Sequence, residues 1–438
     1  MNFYLSESRS LRIGSFALFY VAQGLPIGLI SIALPAWLAG QAVSASDIAY
    51  FVAISGLPWG FKLLVGPVMD RFAYLPMGRR RPWIIVAQGG LLLSICLLGL
   101  VSDPVSNIEL LTWLAFIVNS FAAVQDVAVD GMAIDVLPEE ERGKANAFMA
   151  FGQVAGFSGS AAACGFALVH FGLEGAAAVL VVGVAFVFVF GVVVRERLGE
   201  KLVPWTEGRA SKSAIANQAK DWRSIMLDLF KVLFLPASLL LFLMALFWRI
   251  QAGFWVSAVP VIAVNELGFA SENYSNYAAI VGFMAALFGL AFGPLIDRSG
   301  SRNLLLIGLL AMGCLHVSAG LMTSLWGQTW FQLLIFVGDQ FVGQIVFICF
   351  IALHMKVCWE KVAATQFAIY MAWSNLARSI GAGIYGEVQP MLVMGQEFLI
   401  MGISAFFAAG ILAMVNFKVH QQRLVDLRAI PPGLKLAD

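Results

Sequence analysis

Residues Leu57 to Trp83 read LPWGFKLLVGPVMDRFAYLPMGRRRPW, an apolar run that ends in a dense basic loop. Such a junction is expected where a membrane helix meets the cytoplasm, because Lys and Arg concentrate on that side. Gly66 and Asp70 lie one helical turn apart, so a second helix can approach at the glycine while the carboxylate stays at the membrane surface. Arg71, Arg79, Arg80 and Arg81 supply partners for that carboxylate. The phrase returns at Gly293 Pro294 Leu295 Ile296 Asp297 Arg298, followed by Arg302, in the pattern of Gly66 Pro67 Val68 Met69 Asp70 Arg71. A repeat of this kind implies two related halves.

Composition sets the solvent. The 438 residues are 60% hydrophobic and 12% charged, with a mean hydropathy of +0.86, far more apolar surface than a water-soluble chain of this length can hide. Stretches of about 20 apolar residues cross a hydrocarbon core about 30 Å thick as helix. Twelve are found, near 14–38, 48–69, 84–101, 109–135, 145–168, 175–194, 234–262, 276–296, 303–322, 329–355, 364–386 and 397–417. The fold class expected is an all-α polytopic membrane protein, with the twelve transmembrane helices in two pseudo-symmetric six-helix bundles. β-Barrel alternation is absent. Net charge is +1, which carries no message about acidic partners, and no nucleic-acid signature is present. The N-terminus lacks the basic region, short apolar core and cleavage site of a signal peptide, so the first span is expected to be retained.

Basic residues orient the chain. Of the 27 Lys and Arg, all but Lys62, Arg249 and Arg378 fall in the termini and alternate loops, leaving none for the opposite loops; both termini are therefore expected inside. The domains expected are an N-terminal bundle over 1–194, a cytoplasmic linker over 195–233, a C-terminal bundle over 234–417 and a cytoplasmic tail over 418–438. Within the linker, Ile215, Trp222, Ile225, Met226, Leu229 and Phe230 recur at helical spacing beside Lys220, Arg223 and Lys231, which suits a helix lying on the inner membrane face. A second correspondence supports the repeat: ERGKANAF from Glu141 matches EKVAATQF from Glu360. It aligns Gln125 with Gln344 and Asp135 with His354.

Charges inside spans are costly and are functional by default. Lys62, Arg249 and Arg378 are balanced by Asp126, Asp130 and Asp339. Lys62 and Asp126 lie at similar depth, so an ion pair holding two helices is one reading. Asp126 and Asp130 stand one turn apart on one face, and like charges so close favour a proton acceptor there. Arg249 sits among Phe247, Trp248 and Gln251; it and Gln251 point to nearly opposite faces, so Arg249 alone is expected to line a cavity, beside aromatics that can stack on a sugar-like ligand. Asp339 and Arg378 are each central and form a possible pair, as a structural bridge or an anion-binding or coupling element. Gln23, Gln125, Gln340, Gln344 and Asn375 are candidate substrate contacts, with interhelical bonding as the plainer role. Cys96, Cys164, Cys314, Cys349 and Cys358 are unclustered, and His170, His316, His354 and His420 are far apart, so no metal site or cofactor is expected and no histidine is assigned a role. No phosphate-cradling loop or nucleophile elbow marks an enzyme.

The paired GPVMDR and GPLIDR phrases, the six-plus-six repeat and the long central linker resemble the major facilitator superfamily. Gln23 Gly24 Leu25 Pro26 with Leu34 Pro35, Lys62 before Gly66 Pro67 and Asp70 Arg71, Gly78 Arg79 Arg80 Arg81, and Gln125 Asp126 with Asp130 and Asp135 Val136 Leu137 Pro138 look like its muropeptide permease and acetyl-coenzyme A transporter branch. The match is closest in the first half. Twelve spans are fewer than the enterobacterial muropeptide permeases carry. The resemblance implies alternating access, with Gly66, Asp70, Arg71, Arg79, Arg80, Asp297 and Arg298 as a conformational latch. It implies a small-molecule substrate, protons as coupling ion, and a monomer in the lipid bilayer of a bacterial inner membrane. Proton-driven uptake of an organic anion such as a cell-wall fragment is the first expectation. A siderophore or other metal-chelate importer, an exporter of the same fold and a non-transporting sensor are the alternatives.

Overall fold

The computed structural model describes residues 3–211, 222–359 and 362–429. Helices dominate because every backbone N–H and C=O inside a bilayer needs an internal partner. Helix α1 runs Arg9–Gly40 through a π-bulge at Leu29–Ala33, and α2 follows from Ala45 to Arg71 in pieces. Then come α3 (Arg81–Gly99) and α4 (Ile108–Val136). The stretch Glu139–Val193 is two helices meeting at Gly172, whose φ of 66° and ψ of −166° stop the first of them; these are α5 (139–171) and α6 (173–193).

After the linker, α7 (Trp222–Leu233) precedes α8 (Pro236–Val261, extended by a π-turn to Glu266), α9 (Ser271–Ser299), α10 (Ser301–Leu321), α11 (Thr329–Val357), α12 (Ala363–Val388), α13 (Gln396–Met414) and α14 (Phe417–Ala429). Nine helical stretches among the described residues are long and apolar enough to cross a membrane. One of the nine is α5 and α6 end to end, and the more polar α9 and α12 bring the spans to twelve. Large apolar side chains such as Leu93, Val182, Phe186, Ile280 and Phe407 stay exposed on the outside, as lipid-facing residues must.

Pseudo-symmetry is visible in the packing. The first and fifth helices of each half cross at glycines: Gly24 and Gly28 of α1 lie under the Gln153 and Phe157 carbonyls of α5, and Gly152 and Gly156 lie under Ala17 and Val21 in return. In the second half Gly253 of α8 lies under the Arg378 carbonyl of α12, and Gly381 under Ile250. A methyl at any of these would collide with backbone, so glycine is required for the approach. The two GPxxDR phrases close the second helix of each half, at the ends of α2 and α9.

The halves meet away from the arginine-rich end. The Ser46 hydroxyl donates to the Gly386 carbonyl at 2.7 Å, the Tyr50 hydroxyl donates to the Glu387 carboxylate, and His170 approaches Glu272 at 3.8 Å. These are the starts of α2 and α9 and the ends of α5 and α12, all at the end opposite Arg79–Arg81.

At the arginine-rich end the first described part of the linker, 195–211, is folded against the bundle. The Glu196 carboxylate, fully buried, accepts the backbone N–H groups of Arg79, Arg80 and Arg81 at 3.1, 2.7 and 2.7 Å, which satisfies the N-terminus of α3. Gly78, at φ 103°, leaves room for that carboxylate. Arg81 is buried and donates to the carbonyls of Gly191, Val192, Lys201 and Leu202. Burial pushes the Glu200 carboxyl up to about 7, aided by the negative Glu196. Among the residues expected to form an amphipathic linker helix, Trp222 onward is helical in α7 and its Met226, Leu227 and Phe230 are exposed; Ile215 and Lys220 lie outside the described residues.

Candidate functional site

Two charged clusters occupy the middle of the spans. In the first half, α2 loses its regular helix at Phe61, and Lys62–Leu64 forms a turn of 3₁₀ helix. Lys62 therefore leaves the helix at its break, with Pro58 before it and Pro67 after it. Its Nζ lies 2.6 Å from Asp126 Oδ2 and 5.8 Å from the Trp59 ring centroid. The other Asp126 oxygen accepts from Gln23 Nε2 at 2.5 Å. One turn on, Asp130 accepts a hydrogen bond from the Tyr20 hydroxyl. Both Asp126 oxygens are thus taken by donors, and Asp126 is buried, whereas Asp130 is only half-buried and has Tyr20 as its sole hydrogen-bond donor among the described residues. The anticipated pairing of Lys62 with Asp126 is present. Tyr20 was not anticipated; its position one turn before Gln23 on the same helix face is the signal that could have found it.

In the second half a cavity of about 280 Å³ opens between the bundles. Ile27, Ser31 and Ile32 of α1 and Phe157 of α5 line it from one half; Trp248, Arg249, Gln251 and Trp255 of α8, Tyr274 of α9, Asp339, Gln340 and Phe347 of α11 and Arg378 of α12 line it from the other. The anticipated Asp339–Arg378 bridge does not form. Instead Asp339 Oδ1 meets His316 Nε2 of α10 at 3.0 Å, and His316 stacks on Trp255 with ring centroids 5.4 Å apart. An imidazole reaching across from α10 satisfies the buried carboxylate, so the histidine set aside on sequence spacing is part of the site. Both Arg249 and Gln251 line the cavity, not Arg249 alone, because Trp248, Ala252, Trp255 and Val256 line it too and the face they make is wide enough to take in both residues at its edges.

Arg249 Nε donates to the Ser374 carbonyl at 3.2 Å and its guanidinium lies 5.1 Å from the Trp248 ring centroid. Among the described residues, neither Arg249 nor Arg378 has a carboxylate partner. Two cations thus face the chamber unneutralised, next to indole faces.

Other candidates fall elsewhere. Gln125 donates to the Phe19 carbonyl at 2.8 Å, Asn375 reaches the Trp59 carbonyl at 3.5 Å across the seam, and Gln344 packs on Gly289. These are helix-to-helix contacts. Gln340 alone of the Gln340 and Gln344 pair lines the cavity. Of the latch residues, Gly66 has room for a methyl, which would lie 3.8 Å from Val127 of α4 in ordinary contact, so the close approach expected there is not required; Arg79 and Arg80 reach Asp135 at 3.2 and 3.7 Å, and Arg71 lies exposed over Phe72. The side chains of Asp70, Asp297 and Arg298 lie outside the described ones.

Two helical bundles sharing a charged, solute-sized chamber inside apolar spans define an integral membrane protein built as a transporter. The chain belongs to the Major Facilitator Superfamily, whose sequence profile matches residues 16–382. It is similar to the anhydromuropeptide permease of Escherichia coli K12, 25% identical over 387 residues that cover 86% of this chain and 74% of that protein. It is also similar to a putative transporter, AmpG 4, of Rickettsia conorii, 23% identical over 94% of this chain and 98% of the relative. Among solved structures, a D-xylose-proton symporter superposes with a TM-score of 0.69 at 14% identity, covering 92% of this chain and 97% of its own. The nucleoside transporter NupG superposes at 0.65 and 12%, covering 96% and 99%. These likenesses confirm the twelve-helix fold read from the sequence.

Proposed function

We propose that this protein is a proton-coupled secondary transporter that takes up an anionic, muropeptide-like solute across a bacterial inner membrane. The observation that carries the reading is the pair of cavity arginines, Arg249 and Arg378, without a carboxylate partner. An uncompensated cation in a low-dielectric chamber is costly, and a cargo carboxylate removes the cost while gaining charge-assisted hydrogen bonds. Trp248 and Trp255 offer apolar faces for a sugar ring beside it. The permease name of the Escherichia coli relative supports a muropeptide-like cargo.

Asp130 is the proton carrier in this reading and Asp126 the structural partner of Lys62, since Asp126 has both oxygens occupied. The bundles 1–194 and 234–417 rock about the cavity, joined by 195–233. Gly66, Asp70 and Arg71, with Arg79, Arg80, Asp297 and Arg298, form the latch at the arginine-rich end, taken to be cytoplasmic with both termini. The protein works as a monomer.

Thermal unfolding of the purified protein tests the cargo class. The panel is N-acetylglucosaminyl-1,6-anhydro-N-acetylmuramic acid, neutral chitobiose, ferric hydroxamate siderophore and acetyl-coenzyme A. A ligand that binds the folded state raises its melting temperature by mass action. Stabilisation by the muramic disaccharide and not by chitobiose is expected. Stabilisation by the siderophore alone would replace the muropeptide reading with metal-chelate import.

A further inference from the structure

We infer that transport is electroneutral, one proton moving with each cargo carboxylate, because the two halves carry equal and opposite charge at separate sites. The inference rests on the proton-coupled reading above and adds its stoichiometry.

The first-half cluster sets one cation, Lys62, against two carboxylates, Asp126 and Asp130. The second-half cluster sets two cations, Arg249 and Arg378, against one carboxylate, Asp339. His316 meets Asp339 through Nε2 at 3.0 Å, and its buried Nδ1 has no partner among the described residues. Among the described residues these are the charged side chains in the middle of the spans. The empty carrier therefore holds minus one on one side and plus one on the other.

None of Lys62, Asp126 and Asp130 lines the cavity that holds Arg249, Asp339 and Arg378. Proton and cargo consequently occupy different places. A proton on the free side of Asp130 neutralises the first cluster; a carboxylate between the arginines neutralises the second. Each binding event alone leaves an uncompensated charge in a low-dielectric region, and both together leave none. Among the described residues the groups that face Asp130 are Tyr20 from α1, Lys62 from α2, Asp126 on α4 itself, and Arg80 ahead of α3, which lies against Gly131 and shares Asp135 with Arg79 at the arginine-rich edge, at 3.7 and 3.2 Å. The one bond that changes is the O–H bond formed on Asp130 and broken again on release. The proton enters on a carboxylate oxygen at one face and leaves from it at the other, and the cargo crosses as its anion.

The test uses the full-length protein in liposomes with potassium and valinomycin to set the membrane potential. The probe is radiolabelled N-acetylglucosaminyl-1,6-anhydro-N-acetylmuramic acid, which has a single carboxylate. Exchange of labelled for unlabelled probe without gradients shows that the carrier is working. One pH unit, acid outside, at zero potential should drive about tenfold accumulation, since one proton per anion equates the two concentration ratios. Imposing an inside-negative or inside-positive potential should leave that plateau unchanged. A higher plateau at inside-negative potential would overturn the inference through more than one proton per carboxylate, and a higher plateau at inside-positive potential would overturn it through uncoupled anion movement. Exchange with no response to the pH gradient would instead remove the proton-coupled reading on which the inference rests.

Discussion

Replacing Arg378 by Gln should weaken cargo binding and stabilise the empty protein at the same time. Arg378 lines the cavity without a carboxylate partner among the described residues, so its guanidinium is a cost in the absence of cargo. Insertion scales put arginine at the centre of a membrane helix at about 2.5–3.5 kcal/mol. Glutamine keeps some polarity and the cavity supplies some water, so a gain of about 1 kcal/mol in the empty state is expected, seen as a higher melting temperature in detergent. With cargo present, the variant loses a charge-assisted hydrogen bond of about 1.5–3 kcal/mol, which is about 10- to 150-fold in Kd. Titration calorimetry with the anhydromuramic disaccharide and with its methyl ester separates charge from shape. The wild type should prefer the acid by that factor, and the variant should bind acid and ester about equally. A variant that binds the acid as tightly as the wild type, or an empty variant that melts lower, would refute the reasoning.

The two first-half aspartates should respond differently. Asp126→Asn leaves Lys62 without its bonded anion, a loss of about 3–5 kcal/mol for a broken buried pair, read as a lower melting temperature and poorer yield; Asp130→Asn should fold normally while the ratio of pH-driven uptake to gradient-free exchange falls at least tenfold. In the linker, Glu200 titrates at about 7 in the folded protein against an ordinary value of 4.5. The folded protein therefore keeps a proton that the unfolded chain gives up, so its stabilising contribution is complete below pH 4.5 and lost as pH rises through 7, up to about 3 kcal/mol. Melting temperatures at pH 5 and 7.5 should differ for the wild type and converge in Glu200→Gln. Gly253→Ala pushes a methyl into the Arg378 carbonyl and should lower the melting temperature by the equivalent of about 1–3 kcal/mol, whereas the same change at exposed Gly410, where nothing lies within 4 Å, should not.

The fold was legible because three independent signals agree: apolar length, the one-sided distribution of Lys and Arg, and the GPxxDR repeat. Each reflects a local rule of the bilayer that acts on sequence directly. The glycine crossings were half legible. Glycine runs in 152–165 and 381–386 announce close approach, but which carbonyl each meets depends on crossing angle. Within the site, Lys62 and Asp126 could be matched because both depths can be counted from a membrane edge along one helix. His316 could not, since its pairing with Asp339 needs the rotation of α10 against α11, and depth alone made Arg378 look the better partner. Glu196 was hidden for the same reason. It is one charge in a polar linker until the chain folds it under the backbone of Arg79–Arg81.

The most direct test of the account is accumulation of the anhydromuramic disaccharide by proteoliposomes under an acid-outside pH gradient, wild type beside Arg378→Gln. The wild type should concentrate the disaccharide above the external level and the variant should not. Equal accumulation by both, or no uptake by folded wild-type protein beyond that of empty liposomes, would contradict an anion-binding, proton-driven site in the central cavity.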